Sequence, residues 1–295
     1  MTARVTPPIC DYEGSDYQQT FWDTGKRKYE DQVEAIALKR LLPEKGDLLL
    51  EIGAGAGRNT PRYQGYSKIV LLDYSLSQLQ LAQSRLGRNQ RFIYVVGDAY
   101  RLPFGAGIFD AATMIRTLHH LQDAPLAIQE ARRVLRQGGF FILEYANKHN
   151  LKAILRYGLG KQAWNPFDES PIEFAELNFD FHPQSICHWL ETTGFKVQRQ
   201  LTVSHFRLNL LKKIIPTSWL VGMDSLAQWT GDWWQLSPSV FLRAEAIGES
   251  PIQSQSVIFA CPQCGSSSFV ESENALKCQG CGRIWEIRDG IYIFK

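Results

Sequence analysis

An α/β fold built on a doubly wound, mostly parallel sheet is predicted by three features of the sequence. Apolar runs of strand length alternate with amphipathic runs of helix length through its first half. The first apolar run leads straight into glycines, and acidic residues close the next two runs. Strands alternating with helices read as βαβ units, whose parallel sheets are buried on both faces. At 295 residues, with 44% hydrophobic and 21% charged residues, the chain has room for about two domains of ordinary globular composition. A net charge of +2 leaves no electrostatic footprint for a long nucleic-acid track.

Residues 1–15 are polar, carry Pro7, Pro8 and Gly14, and are expected to form a mobile tail. They lack the apolar centre of an export signal, and no run of about 18 apolar residues follows, so a cytoplasmic protein without a membrane span is expected. Lys26–Leu42 reads as a helix, with Val33, Ile36, Ala37 and Leu41 at helical spacing and Pro43 as its stop. Strands are expected at Leu48–Ile52, Ile69–Asp73, Phe92–Val96, Phe109–Ile115 and Phe140–Tyr145. Helices fall between them at Ser75–Leu86 and Ala124–Arg136, the second closed by Gly138 and Gly139. A helix from His182 to Thr193 and strands at Phe195–Val203 and Ser239–Ile247 bring the sheet to seven strands. The core domain is thus assigned residues 16–247, with a Trp-rich insertion at 205–236. A Ser/Gln-rich linker, 248–256, then leads to a separate small module, 257–295.

Candidate site residues cluster at the strand ends. The first strand ends in Glu51-Ile-Gly53-Ala54-Gly55-Ala-Gly57, and glycines there let the backbone turn tightly and approach a ligand. Asp73, 18 residues beyond Gly55, stands where an acid can bind the two hydroxyls of a ribose, and Asp98 closes the third strand. The C-terminal strand ends of a doubly wound sheet share one crevice. Glu51 beside the loop would repel a pyrophosphate but would suit a ligand carrying a sulfonium and an amino group. Four cysteines form two Cys-x-x-Cys-Gly knuckles, Cys261/Cys264 and Cys278/Cys281, separated by 13 residues. Two such knuckles offer the four-sulfur tetrahedron that zinc favours, with no open position for catalysis; iron in a rubredoxin-like site is the minor alternative. A 39-residue module cannot bury much core alone, so the metal would supply much of its stability.

From Leu48 to Asn147 the chain resembles the class I S-adenosylmethionine-dependent methyltransferases, in the group that includes ubiquinone-biosynthesis-type enzymes. The resemblance rests on the glycine loop and on Gly-Asp-Ala-Tyr-Arg-Leu-Pro-Phe (97–104), Phe-Asp-Ala-Ala (109–112), Leu-His-His-Leu (118–121) and Arg-Val-Leu-Arg-Gln-Gly-Gly (133–139). It implies a Rossmann-like seven-stranded sheet with S-adenosylmethionine as cofactor. Gly53, Ala54, Gly55 and Arg116 would then lie at the methionine portion, Asp73 at the ribose hydroxyls, and Asp98 with Ala99 at the adenine edge, with Glu51 and Tyr74 as further cofactor-binding residues. His120 is the candidate general base, needed only if the acceptor must lose a proton, with a hydrogen-bonded structural histidine as the alternative. Similar enzymes fold a segment such as Tyr17, Phe21, Trp22, Arg27 and Tyr29 over the cofactor; the same aromatics could instead pack the first helix. The module's ending, Trp285-Glu-Ile-Arg-Asp-Gly-Ile-Tyr-Ile-Phe294, is similar to the zinc ribbons that include a small activating subunit of tRNA and protein methyltransferases.

The function expected is therefore methyl transfer from S-adenosylmethionine to an unidentified acceptor, with a small molecule favoured. The alternatives are an RNA methyltransferase that docks through the ribbon, or a non-catalytic binding or scaffold protein. Met114-Ile-Arg-Thr117 replaces the Asn/Asp-Pro-Pro-aromatic motif of amino-directed nucleic-acid enzymes, which weakens adenine methylation. Outside the module only Cys10 and Cys187 remain, neither at a strand end, which weakens thiolate-dependent pyrimidine methylation. The ribbon is the expected place for contact with a protein or RNA partner.

Overall fold

The runs of Leu, Ile and Val become strands with no exposed face. In the computed structural model, which describes residues 7–16, 18–25, 27–248 and 258–295, Leu49, Leu50 and Ile52 are buried, as are Ile69 to Leu72. Helix α1 (Lys28–Leu41) precedes β1 (Gly46–Ile52), β2 (Tyr66–Asp73), α2 (Leu76–Leu86) and β3 (Phe92–Val96). Then follow β4 (Phe109–Met114), α3 (Ala124–Val134), β5 (Leu135–Ala146) and α4 (Leu151–Gly158). A hairpin of β6 (Ile172–Ala175) and β7 (Asn178–Asp180) leads to α5 (Pro183–Thr192) and β8 (Phe195–Val203). Helices α6 (Asn209–Ile214) and α7 (Thr217–Ala227) occupy the insertion before β9 (Ser239–Ala246). The seven expected strands lie in the order β3-β2-β1-β4-β5-β9-β8, parallel except for β9.

Local chemistry sets the helix boundaries. Ser75 caps α2 by accepting from the Gln78 amide, and Gly87, at φ +82°, ends it. Asp123 caps α3 through the Leu126 amide, and Ala127, Ile128, Ala131 and Val134 form its buried stripe. That helix stops at Val134, short of the expected Arg136. Leu135 already pairs with Phe109, while the next pair on β5 is Phe140 with Ala111. The Arg136–Gly139 segment is therefore a bulge within β5, and a Cβ on Gly139 would lie 3.1 Å from the Asp110 carbonyl oxygen.

The C-terminal module does not stand apart as expected. Its strands β10 (Phe269–Ser272), β11 (Ala275–Cys278), β12 (Ile284–Arg288) and β13 (Ile291–Ile293) extend the same sheet to eleven strands. Asp289-Gly290, both at positive φ, makes the two-residue turn between β12 and β13. Beyond it, Ile291, Tyr292 and Ile293 pair in parallel with Tyr94, Val95 and Val96 at the edge of β3. Phe259 bridges Phe104, the Ala260 amide donates to the Pro103 carbonyl (3.0 Å), and Phe104 is fully buried. Burying one such phenylalanine is worth about 1.5–3 kcal/mol. Trp285, Phe294 and Cys278 belong to the same apolar cluster as Phe104 and Phe109, so the two regions share one core. The expected linker survives here only as Gly248; residues 249–256, and Val257 with them, lie outside the described residues.

Residues 7–15, expected as tail, lie across the domain instead; residues 1–6 are outside the described set. Ile9 bridges Leu121, Glu13 accepts from Ser75 Oγ (3.1 Å), and the Gly14 amide donates to Ser77 Oγ (2.8 Å). Hydrogen bonds rather than apolar burial hold this strap, so a polar composition did not betray it.

Candidate functional site

The strap, the glycine turn and the strand ends enclose one cavity. Gly53 adopts φ +72° where β1 ends, and its amide and that of Ala54 both donate to the Leu72 carbonyl (2.8 and 3.0 Å). A Cβ on Gly53 would strike Thr117 Oγ1 at 2.0 Å, whereas one on Gly55 would point into open space. The Gly55 amide donates to Asp73 Oδ2 (2.8 Å) and the Ser75 amide to Oδ1 (2.9 Å), which fixes the carboxylate at the cavity wall. Asp98 accepts from the Tyr100 amide (2.8 Å). Burial pushes both carboxyls above their usual range. Glu51 is buried, accepting from Thr60 Oγ1 (2.6 Å) and Tyr63 Oη (3.2 Å), and desolvation raises it to about 7. Glu51, Gly53, Ala54, Gly55, Asp73, Tyr74, Asp98, Ala99, Arg116 and His120 all line this cavity. Tyr12 and Trp22 close it from the strap side; Tyr17 and Lys26 lie outside the described residues.

Arg116 enters the cavity wall at φ +56°, a left-handed conformation costly for a side chain of this size. Its amide donates to Glu144 Oε2 (2.9 Å), and its guanidinium to Glu34 Oε1, with Nε at 2.9 Å. Arg58 holds the other oxygen of Glu34 (2.8 Å) and stacks under Trp22, 3.7 Å from the ring centre. Glu34 has no exposed surface, yet the two guanidiniums hold its carboxyl at about 2. The sequence reading missed Glu34. Its signal was an acid on the buried stripe of α1, beside Val33 and four residues before Leu38.

His120 sits between Tyr12 Oη (3.0 Å from Nε2) and the Leu177 carbonyl (3.2 Å from Nδ1). A carbonyl only accepts, so Nδ1 carries the proton and Nε2 accepts from Tyr12. Burial lowers the ring's basicity, which keeps it neutral. As a base His120 could act only after Tyr12 moved away. Beside it, ring centres 4.0 Å apart, His119 is half-buried, and its enclosed Nδ1 has no partner. Arg207 likewise has Nε and Nη2 buried without partners, and burial together with Arg116 lowers it to about 10.

In the ribbon the Sγ atoms of Cys261, Cys264, Cys278 and Cys281 lie within 4.8 Å of one another, a cluster able to hold a metal ion. The two knuckles repeat one geometry. The Gly265 amide donates to the Cys261 carbonyl (2.7 Å) and the Gly282 amide to the Cys278 carbonyl (2.9 Å), both glycines at positive φ. Among the described residues no helix is long and apolar enough to cross a membrane.

A family described as a methyltransferase domain matches residues 50–143. The O-methyltransferase cnsE of Penicillium expansum is 31% identical over 220 residues, covering 68% of this chain and 72% of its own. A demethylmenaquinone methyltransferase of Thermotoga maritima is 31% identical over 185 residues, covering 58% of this chain and 77% of its own. A solved complex of the Haloferax volcanii Trm112 methyltransferase activator with a methyltransferase contains a chain of similar fold, at TM-score 0.56 and 15% identity. That match covers 79% of this chain and 96% of the other.

Proposed function

The chain belongs to the class I S-adenosylmethionine-dependent methyltransferases, and we propose that its cavity positions that cofactor for methyl transfer to a small-molecule acceptor. The carrying observation is the convergence of Glu51, Asp73 and Asp98 with the open face of Gly55 on one cavity. Asp73, pre-set by the Gly55 and Ser75 amides, would take the ribose hydroxyls; Asp98 and Ala99 would meet the adenine edge. Tyr74 would flank the nucleoside. Gly53, Ala54, Glu51 and Arg116 would surround the methionine end, where a buried carboxylate suits a positive charge. S-adenosylmethionine supplies a methyl group on an already activated sulfonium, so the protein's main work is alignment and exclusion of water.

The acceptor class draws support from the relatives, named for O-methylation and for demethylmenaquinone. His119 and Arg207, half-buried with enclosed nitrogens that lack partners, would face the acceptor's polar groups. Zinc in the four-cysteine cluster is part of the same reading. Sγ–Sγ separations of 3.8 and 3.6 Å match the edge of a zinc–thiolate tetrahedron, about 3.8 Å for bonds of about 2.3 Å. Free thiolates of this kind suit a reducing cytoplasm.

Calorimetry with S-adenosylhomocysteine tests the cofactor assignment. Micromolar binding is expected, on the order of −8 kcal/mol, weakened by about 1–3 kcal/mol in Asp73→Ala. Binding of NADH with no S-adenosylhomocysteine heat would overturn it. Elemental analysis of reduced protein should find one zinc per chain.

A further inference from the structure

The exposed apolar side chains are concentrated at one end of the molecule. The excursions at 147–182 and 204–238 leave the sheet at the same end, because Ala146 of β5 and Val203 of β8 both pair with Ser239 of β9. The cavity opens at that end too, since β1, β4, β5 and β8 run in parallel. Helix α4 buries a single side chain, Ala153, and α6 buries none. Leu151, Leu155 and Leu159 form an exposed stripe along α4, and Leu210, Ile214 and Trp219 stand exposed across the second excursion. Trp233 and Trp234 are exposed as well, at 76% and 56%.

Along α4 and the 208–219 segment the charges are of one sign; the exposed acids of this end, Asp168, Glu169, Glu173, Glu176 and Asp232, lie outside those two segments. Lys152, Arg156 and Lys161 are exposed along α4 and its end, with no acid between His149 and Trp164. Lys213 is exposed on α6, and no acid occurs between His205 and Met223. Leu and Trp alternating with Lys and Arg on short surface helices is the composition of an interfacial membrane anchor, in which apolar side chains enter the acyl boundary and basic heads meet anionic lipid. Tryptophan favours that same depth. We propose that this end of the molecule docks on an anionic bilayer surface through α4 and the 208–219 segment, with the cavity mouth facing the membrane. The docking goes beyond the methyl-transfer reading and does not depend on it.

Flotation of the full chain with vesicles tests the docking. With phosphatidylglycerol in phosphatidylcholine the protein should float at low salt, at least tenfold more than with phosphatidylcholine alone, and high salt should reduce the difference. Leu155→Glu with Leu159→Glu, and separately Leu210→Glu with Ile214→Glu, should each cut partitioning tenfold or more. All four side chains are exposed, so melting midpoint and near-ultraviolet circular dichroism should stay as in the parent. The proposal fails if the parent protein stays at the bottom with both vesicle types or floats equally with both. It fails also if folded glutamate variants float like the parent. A concentration-dependent dimer dissolved by the same glutamates, in place of flotation, would assign the surface to a second copy and overturn it.

Discussion

Glu51 illustrates how a buried carboxyl couples proton and ligand. Its folded pKa of about 7 stands above the unfolded value of about 4.3. The folded state therefore loses stability as pH rises from 4 through 7, by about 4 kcal/mol at full effect. Glu51→Gln should melt like the parent at pH 4 and above it at pH 8. A cation in the cavity favours the ionised form, so S-adenosylmethionine binding should release a proton near pH 6.5, and affinity should rise towards pH 8. Calorimetry in buffers of different ionisation enthalpy reads that release; Glu51→Gln should abolish it. Glu34 has the opposite sign. Held at about 2 by Arg116 and Arg58, it stabilises the fold above pH 4.5, and that stability drains away as pH falls towards 2. Glu34→Gln, which leaves two guanidiniums facing a neutral amide, should cost about 3–5 kcal/mol in denaturant titration at pH 7. Glu51 was legible because it adjoins a glycine turn. Glu34 was not, because nothing local distinguishes an acid buried against partners 24 and 82 residues away from one on a solvated face.

Elements were legible where a regular period or an uninterrupted apolar run forces burial, as in β1, β2 and α3. They were illegible where side chain to backbone bonds decide. Arg132 and Arg133 carry no local signal of their roles, yet Arg132 holds the Gly194 and Ile247 carbonyls (3.0 and 2.6 Å), and Arg133 holds those of Phe104 and Leu102 (2.7 and 2.8 Å). The strap is the same lesson at larger size: polar residues 9–15 are placed by Ser75, Ser77, Gln78 and Leu121. It also carries a kinetic expectation. Deleting residues 1–16 should speed S-adenosylhomocysteine release about tenfold or more in stopped-flow displacement, since the Tyr12 cover over His120 goes with it. Unchanged release would reduce the strap to packing.

At the scale of the molecule, the sheet runs without a break from the ribbon into the domain. Metal removal should therefore reach the cavity. Lys295 Nζ donates to the Tyr74 carbonyl (3.0 Å), and Tyr74 lines the cavity wall. Stripping the metal with a strong chelator should lower the melting midpoint and weaken S-adenosylhomocysteine binding severalfold. Metal-free protein that bound as tightly as the parent would show the ribbon to be energetically separate. The chain order of the sheet also bears on synthesis. Strand β3 is made some 200 residues before the β13 that covers its edge, a loop closure that slows pairing. Throughout that interval Tyr94, Val95 and Val96 present open backbone groups on a nascent chain, a natural template for unwanted partners. If zinc fills the four-cysteine cluster, as proposed, a cell short of it would prolong the interval, so the load on its chaperones should rise with metal starvation before any loss of catalysis is felt.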